Sequence, residues 1–337
     1  MFENISKAEL ENLFNQFEGK RILVIGDVML DAYWWGKVDR ISPEAPVPIV
    51  HVTKKEFRLG GAANVALNLK TLGAVPVLCA VIGQDQEADI FLEEAAKQGI
   101  ASDGILSIPS RPTTIKTRVI GQKNQMLRID TEDNQLISEQ DSDALFECIL
   151  LQMEDAALII FEDYDKGVLS EALITDLIFE ANTRHIPIAV DPKKRNFHAY
   201  AGATLFKPNL RELAEGLKLE INAHSPLEEI QSAANLLIHS MHFKYVMVTL
   251  SERGVYITDG IEGYLIPAHI RSISDVSGAG DTVISVAALS MLTNMPMDGI
   301  AALANLAGGL VCEKAGVVPI QKDELLHEAE RIFVAQV

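Results

Sequence analysis

The chain has 337 residues, 48% of them hydrophobic and 23% charged, with a formal net charge of −18. This is ordinary globular composition with ample material for a core, and the acidic balance argues against a nucleic-acid partner. No stretch reaches the roughly 18 uninterrupted apolar residues of a membrane span, and the acidic N-terminus MFENISKAELENLF has no signal-like apolar region, so a cytoplasmic protein with no membrane partner is expected.

In chain order, RILVIGD (21–27) reads as a buried strand that feeds a loop. DAYWWGKVDRISPEAPVPIVHVTK (31–54) mixes aromatics, charges and three prolines. It reads as edge strands or a flap outside the main sheet. GGAANVALNLKTLG is a helix with a Gly-Gly start and a Gly73 stop. VPVLCAVIG is a strand and QEADIFLEEAAKQG a helix. TTIKTRVIGQKNQMLRIDTE alternates like a hairpin that turns near Lys123 and Asn124. A helix (138–154), the strand ALIIFED, a helix, and the strands IPIAVD and ATLFKPN follow. A helix then starts at Leu210, and KYVMVTLSERGVYIT is a strand, a turn and a second strand. The C-terminal third is helical and alanine-rich. Repeated strand–helix alternation implies an α/β fold with a mostly parallel sheet flanked by helices. There is no linker, repeat or low-complexity segment. Strand ends carrying Asp27, Asp163, Asp191 and Asn209 would line the edge where open α/β sheets bind ligands. Cys79, Cys148 and Cys312 are far apart in apolar runs and read as buried free thiols.

DVSGAGD (275–281) opens a helix with glycines, so it can present free N–H groups and a positive dipole end to phosphate; Asp281 could instead merely complement that dipole. GGAAN (60–64) is a second glycine-led start, in which Asn64 is a good hydroxyl partner or the sequence only allows tight packing. In KPNLRE (207–212), Asn209 and Glu212 fit a helix capping box, or a place for hydrated Mg²⁺ and phosphate oxygens. In VDPKKRNF and FEDYDKG, taken alone, Asp191, Lys193, Asp163, Asp165 and Lys166 read as solvated loop charges, the commoner case, or as the polar groups of a cleft. His239 and His242 read as surface. The chain has no GxxxxGK[ST], HRD/DFG or GxGxxG pattern, so P-loop, protein-kinase and dinucleotide chemistry lose their usual support.

GGAANVALNLKTLGA and DVSGAGDTV together resemble the two signature stretches of the ribokinase-like (PfkB) family of sugar kinases, in order and in separation, and the resemblance covers nearly the whole chain. GDVMLDAYWWGKVDRISPEAPVPIV, DYDKGVLS, VDPKKRNF and KPNLRE are similar to the branch that phosphorylates heptose 7-phosphate and adenylylates heptose 1-phosphate for lipopolysaccharide core synthesis. The resemblance implies one ribokinase-like kinase domain over 1–337, without an adenylyltransferase domain. It implies a small β lid from about 31–53 and 113–131, which in this family often pairs between subunits as a homodimer. Asp281 would be the general base, and Gly278, Ala279 and Gly280 the anion hole. Asp27, Asp31, Gly60, Gly61 and Asn64 match positions that hold sugar hydroxyls. The cations Arg58, Lys116, Arg118, Arg128, Lys166 and Lys193 suit the sugar's phosphate. Asn209, Leu210, Arg211 and Glu212 match the motif serving ATP and Mg²⁺, with Glu212 reaching Mg²⁺ through water. Thr249, Ser251, Gly254 and Asn305 match nucleotide-side positions, and Asp275 a monovalent-cation (K⁺) position. Glu162 and Leu59 depart from the branch, which more often has serine and proline there, and Ser277 stands where threonine is commoner. The implied reaction is transfer of the ATP γ-phosphate to the anomeric C1 hydroxyl of D-glycero-β-D-manno-heptose 7-phosphate, giving the 1,7-bisphosphate. Another sugar or nucleoside kinase of the family and a non-catalytic sugar or nucleotide sensor are the alternatives.

Overall fold

The computed structural model describes residues 5–122, 124–269 and 271–334. Two sheets organise it. The larger one has nine strands in the order β13-β12-β11-β10-β9-β8-β1-β4-β5. These are β1 (Arg21–Gly26), β4 (Val75–Ile82), β5 (Ile105–Ser107), β8 (Leu158–Glu162), β9 (Ile188–Asp191), β10 (Leu205–Phe206), β11 (Tyr245–Thr249), β12 (Val255–Thr258) and β13 (Gly263–Ile266). From β5 to β11 the pairings are parallel, and β12 and β13 add antiparallel strands at one edge. The second sheet, in the order β3-β2-β6-β7, holds β2 (Val28–Ile41), β3 (Pro48–Gly61), β6 (Ile115–Gly121) and β7 (Asn124–Thr131).

Helices cover both faces of the large sheet, as a parallel sheet requires. β1 shows why: Ile22 and Val24 join one core while Leu23 and Ile25 join the other. The first core packs α1 (Lys7–Asn15), α2 (Ala62–Thr71), α3 (Gln86–Lys97), α8 (Ala279–Met291), α9 (Met297–Cys312) and α10 (Lys322–Phe333). The second packs α4 (Glu139–Gln152), α5 (Glu171–Thr183), α6 (Leu210–Leu217) and α7 (Leu227–Met241). Side-chain oxygens of Asp85, Ser138 and Ser170 cap α3, α4 and α5, satisfying N–H groups that no helix can pair internally.

The second sheet takes in both segments expected to form a lid, with wider limits: its first hairpin runs from Val28 to Gly61 rather than 31–53. β2 leaves the main sheet directly after β1, with only Asp27 between them. The hairpin turn at Lys123 lies outside the described residues. β10 is only two residues long, against seven expected. Pro208 has no N–H to pair, and Asn209 already caps α6. Cys79 is buried, but Cys148 and Cys312 are half-buried, so only one thiol is as expected. His239 and His242 are on the surface. Among the described residues no helix is long and apolar enough to cross a membrane.

Candidate active site

α8 begins at Gly278, whose φ of +80° lies in the left-handed region. A Cβ there would also approach Asn64 Nδ2 to 2.9 Å, so both conformation and space select glycine. Asp281 follows in the first turn and is 3% exposed. Asn64 Nδ2 donates to its Oδ2 at 2.7 Å, and the Tyr164 hydroxyl donates to its Oδ1 at 2.8 Å. Asn64 is itself placed from below, since Asn68 Nδ2 donates to its carbonyl at 2.8 Å. Burial pushes the Asp281 carboxyl above the usual carboxylate range; Asn64 and Tyr164 pull it down, Asp191 raises it and Lys207 lowers it. Of the three expected anion-hole residues, Ala279 turns its N–H back to the Val276 carbonyl at 3.3 Å. The N–H groups of Gly278 and Gly280 have no such partner among the described residues.

Beneath this turn lie the tips of three parallel strands. Lys207 Nζ and Asp191 Oδ2 form a buried ion pair at 2.7 Å, within 4 Å of where a Gly280 side chain would begin. Burial would lower the Lys207 ammonium, but Asp191 and then Glu212 outweigh it and raise it. Glu162 at the end of β8 is 1% exposed, and its Oε2 has no hydrogen-bond partner among the described residues. Burial, then Asp191 and Asp281, push its carboxyl well above the usual range. The solvated-loop reading of this region is therefore overturned for Asp163 and Asp191. Asp163 is fully buried and accepts from Asn196 Nδ2 at 3.1 Å and Tyr200 OH at 2.9 Å. Asp165 stays partly exposed, paired with Arg195 at 2.8 Å.

The capping box of α6 is present in full: Asn209 Oδ1 accepts from the Glu212 N–H, and Glu212 Oε2 from the Asn209 N–H, both at 2.8 Å. The other Glu212 oxygen pairs with Lys193. Both Glu212 oxygens are engaged, and each keeps one acceptor position, room for a water carried by a cation. That fits Mg²⁺, which keeps several waters and takes its remaining ligands from phosphates. Among the described residues no group of three acidic, His or Cys side chains could cage a metal.

On the lid side, Asp27 spends most of its acceptor capacity on the backbone. Its carboxylate accepts the N–H groups of Tyr164 at 2.8 Å, Lys166 at 3.1 Å and Val168 at 3.2 Å. Burial and then Asp163 push it up to about 6 against these bonds. Its geometry is that of a clamp on the 164–168 loop. Arg111 completes the clamp by donating to the carbonyls of Asp133 and Lys166. Asp31 pairs with Arg118 and crowds Gly60, where any side chain would meet Asp31 Oδ2. Gly61 ends β3 and makes the turn into α2. Lys166 and Lys116 share Glu132 at 2.9 and 3.0 Å. Arg128 sits directly across from Arg118 in the strand register but is 53% exposed and held by Asp130 at 3.0 Å, outside the enclosed cluster. Leu59 is buried in the first core.

Behind the α8 turn lies a cavity of about 560 Å³, lined by Thr249, Ser251, Gly254, Ala279, Gly280 and Asn305. It joins the residues expected on the nucleotide side to the anion-hole turn. Asn305 is oriented by donating to the Pro267 carbonyl at 2.8 Å. Asn209 pairs with Thr249 through an isolated bridge beside this cavity. Leu210 and Arg211 do not line it: Leu210 packs on the second core, and Arg211 is 85% exposed, paired with Glu215. The Asp275 carboxylate accepts the N–H groups of Ser277 at 2.9 Å and Gly316 at 3.0 Å, which ties the α8 approach to the segment after α9.

Sequence reasoning missed Tyr164, Lys207, Arg111, and the cavity residues His269, Arg271 and Cys312. For Tyr164 a signal existed, an aromatic set between acids at a strand end. Lys207 opened a quoted motif but was read only as a flank of Asn209.

The profile of the pfkB family carbohydrate kinases matches residues 20–323. The chain is 42% identical over 310 residues to the bifunctional protein HldE of Methylobacillus flagellatus, covering 92% of this chain and 63% of that protein. It is 36% identical over 324 residues to the bifunctional protein HldE of Pelobacter propionicus, covering 96% and 66%. The chain thus spans just under two thirds of the length of these relatives. Among solved structures, phosphofructokinase-2 from Escherichia coli in complex with potassium superposes with a TM-score of 0.75 at 18% identity, covering 94% of this chain and 98% of that one.

Proposed function

Because the chain belongs to the pfkB family of carbohydrate kinases, and so phosphorylates a sugar with ATP and a divalent metal, we propose that its acceptor is the anomeric hydroxyl of a heptose 7-phosphate and that Asp281 is the base. The observation that carries the chemistry is the placement of Asp281. It is a buried carboxylate, held on both oxygens, at the mouth of a helix whose Gly278 and Gly280 N–H groups have no partner among the described residues. The Asp281 carboxylate accepts the hydroxyl proton as the sugar oxygen bonds to the γ-phosphorus. The bond from that phosphorus to the ADP oxygen breaks, and ADP leaves with its electron pair. Charge gathering on the phosphoryl oxygens meets two backbone N–H groups and the positive end of α8. Phosphoryl transfer asks this of a protein: positioning and charge stabilisation more than covalent chemistry. Mg²⁺ would arrive with ATP, neutralise phosphate charge, and touch the protein through water at Glu212. Asp275 would serve a monovalent cation.

The heptose assignment is supported by the HldE relatives and by the enclosed cations Arg118, Lys116 and Lys166. In the free protein acids neutralise all three, and a substrate phosphate would compete for them through charge-assisted bonds. A coupled ADP-release assay over a sugar panel tests the assignment. Heptose 7-phosphate should be turned over far faster than ribose, fructose or adenosine. Faster turnover of an unphosphorylated sugar would overturn the acceptor and leave the kinase standing. Absence of ADP release with every sugar would favour a sensor.

A further inference from the structure

We infer that Tyr164 is a positioning residue for the phosphoryl-transfer base: its hydroxyl fixes one oxygen of Asp281 while Asn64 fixes the other, so the carboxylate meets the sugar hydroxyl in one orientation. The inference rests on the reading of Asp281 as base. Tyr164 lies on the loop after β8, not on the glycine-led helix starts that bear the family signatures. Its hydroxyl reaches Asp281 Oδ1 at 2.8 Å across 117 residues of sequence.

Three features make this contact more than incidental. The loop is clamped from both sides, by Asp27 taking the N–H groups of residues 164, 166 and 168 and by Arg111 holding the Lys166 carbonyl. The ring is pinned by Lys193, whose Nζ lies 5.5 Å from its centroid, a cation–π distance. The contact also leaves the base usable. Each carboxylate oxygen has two acceptor positions, and Tyr164 and Asn64 take one apiece. A phenol donates without competing for the proton, because burial and then Asp281 and Glu162 push its own ionisation well above the usual value.

The contact should also set the working range of the base. The charged groups facing Asp281 are Glu162 at the end of β8, Asp191 at the end of β9 and Lys207 just past β10, with Lys193 behind the Tyr164 ring. Burial and the two acids favour the protonated form. Lys207, Asn64 and Tyr164 favour the carboxylate. A donor to a carboxylate favours the charged form, so its removal raises the carboxyl pKa.

The test is the pH dependence of kcat/KM in Tyr164→Phe, which keeps the ring and deletes only the donor. The acid limb should move up by about one pH unit, the scale of a single charge-assisted hydrogen bond. Turnover should fall roughly tenfold on the acid side and recover at alkaline pH, while the KM for ATP stays within about twofold. A fluorotyrosine at the same position, a stronger donor, should move the limb down. A merely structural Tyr164 would lower the melting temperature without moving either limb. Asp281→Asn is run alongside. If it loses turnover while both Tyr164 variants keep the parent limb, the inference is overturned and the base remains. If Asp281→Asn works normally, the base reading falls and takes the inference with it.

Discussion

Asp281 has two possible occupations, and they differ in what a single atom exchange would do. As a base it receives a proton that moves only during reaction. As a dipole complement it would contribute roughly 0.3–1 kcal/mol of stability and nothing to chemistry. Asp281→Asn keeps the volume and both hydrogen-bonded neighbours within reach. Turnover should fall about 10²–10⁴-fold, the usual contribution of a general base, with Michaelis constants moving less than about tenfold. Turnover and melting temperature measured on one preparation separate the two occupations, and an active variant that melts early would remove Asp281 from the mechanism. Gly278 is the second decisive residue. Gly278→Ala must place a Cβ at φ +80° and 2.9 Å from Asn64 Nδ2. The left-handed conformation alone costs an alanine about 1–2 kcal/mol. The variant should unfold at lower urea and lose at least tenfold in turnover, since Asn64 cannot move without releasing Asp281 Oδ2.

At the scale of elements, the turn that opens α8 rests on strand tips, and the Lys207–Asp191 pair joins two of them. Both members are buried. Removing one leaves an uncompensated charge, at a cost of about 3–5 kcal/mol. Lys207→Met should therefore lose stability on that scale in denaturant titrations, and adding Asp191→Asn should restore much of it. A double variant no more stable than the single one would show that the pair is not coupled. This pair also marks what the sequence could and could not tell. The glycine-led starts of α2 and α8 were legible because glycine is demanded locally, by backbone conformation and close approach. IPIAVD and KPN were legible as strand ends with charges, but the facts that make those charges functional are long-range. Nothing in VDPKKRNF says that Asp191 faces Lys207, and nothing in FEDYDKG says that the Asp27 carboxylate is consumed by the backbone of that very loop. So Asp163, for which a solvated loop was one reading, is enclosed, and Asp27, expected on the sugar, also holds the 164–168 loop. The helices α1 and α7 went unread, although the Ser6–Glu9 capping box at the start of α1 was legible in the sequence.

At the scale of the whole molecule, the lid has two unlike faces. The strand register puts Asp31, Arg58, Lys116 and Arg118 on the face turned to the site, and Trp34, Val119 and Leu127, with Phe57 and Ile129, on the other. The body covers this second face only in part. Trp34 and Phe57 pack against the first core, but Leu127 and Ile129 on the edge strand β7 remain 56% and 45% exposed. An exposed edge strand with an apolar face is a site of unwanted pairing unless another chain covers it. A second copy of the lid is the occupant this shape suits, because each copy offers the same half-covered apolar face to a two-fold partner. The protein should therefore run as a homodimer, at twice the monomer mass, in light scattering at micromolar concentration. Leu127→Lys combined with Ile129→Lys should yield a folded monomer, because both side chains already meet solvent in the single chain. If the dimer orders the lid, sugar KM should rise in that monomer while nucleotide affinity, proposed to be set by the cavity behind α8, should be unchanged. A parent protein that scatters as a monomer would refute lid pairing. A dimer untouched by the two lysines would place the interface elsewhere on the surface.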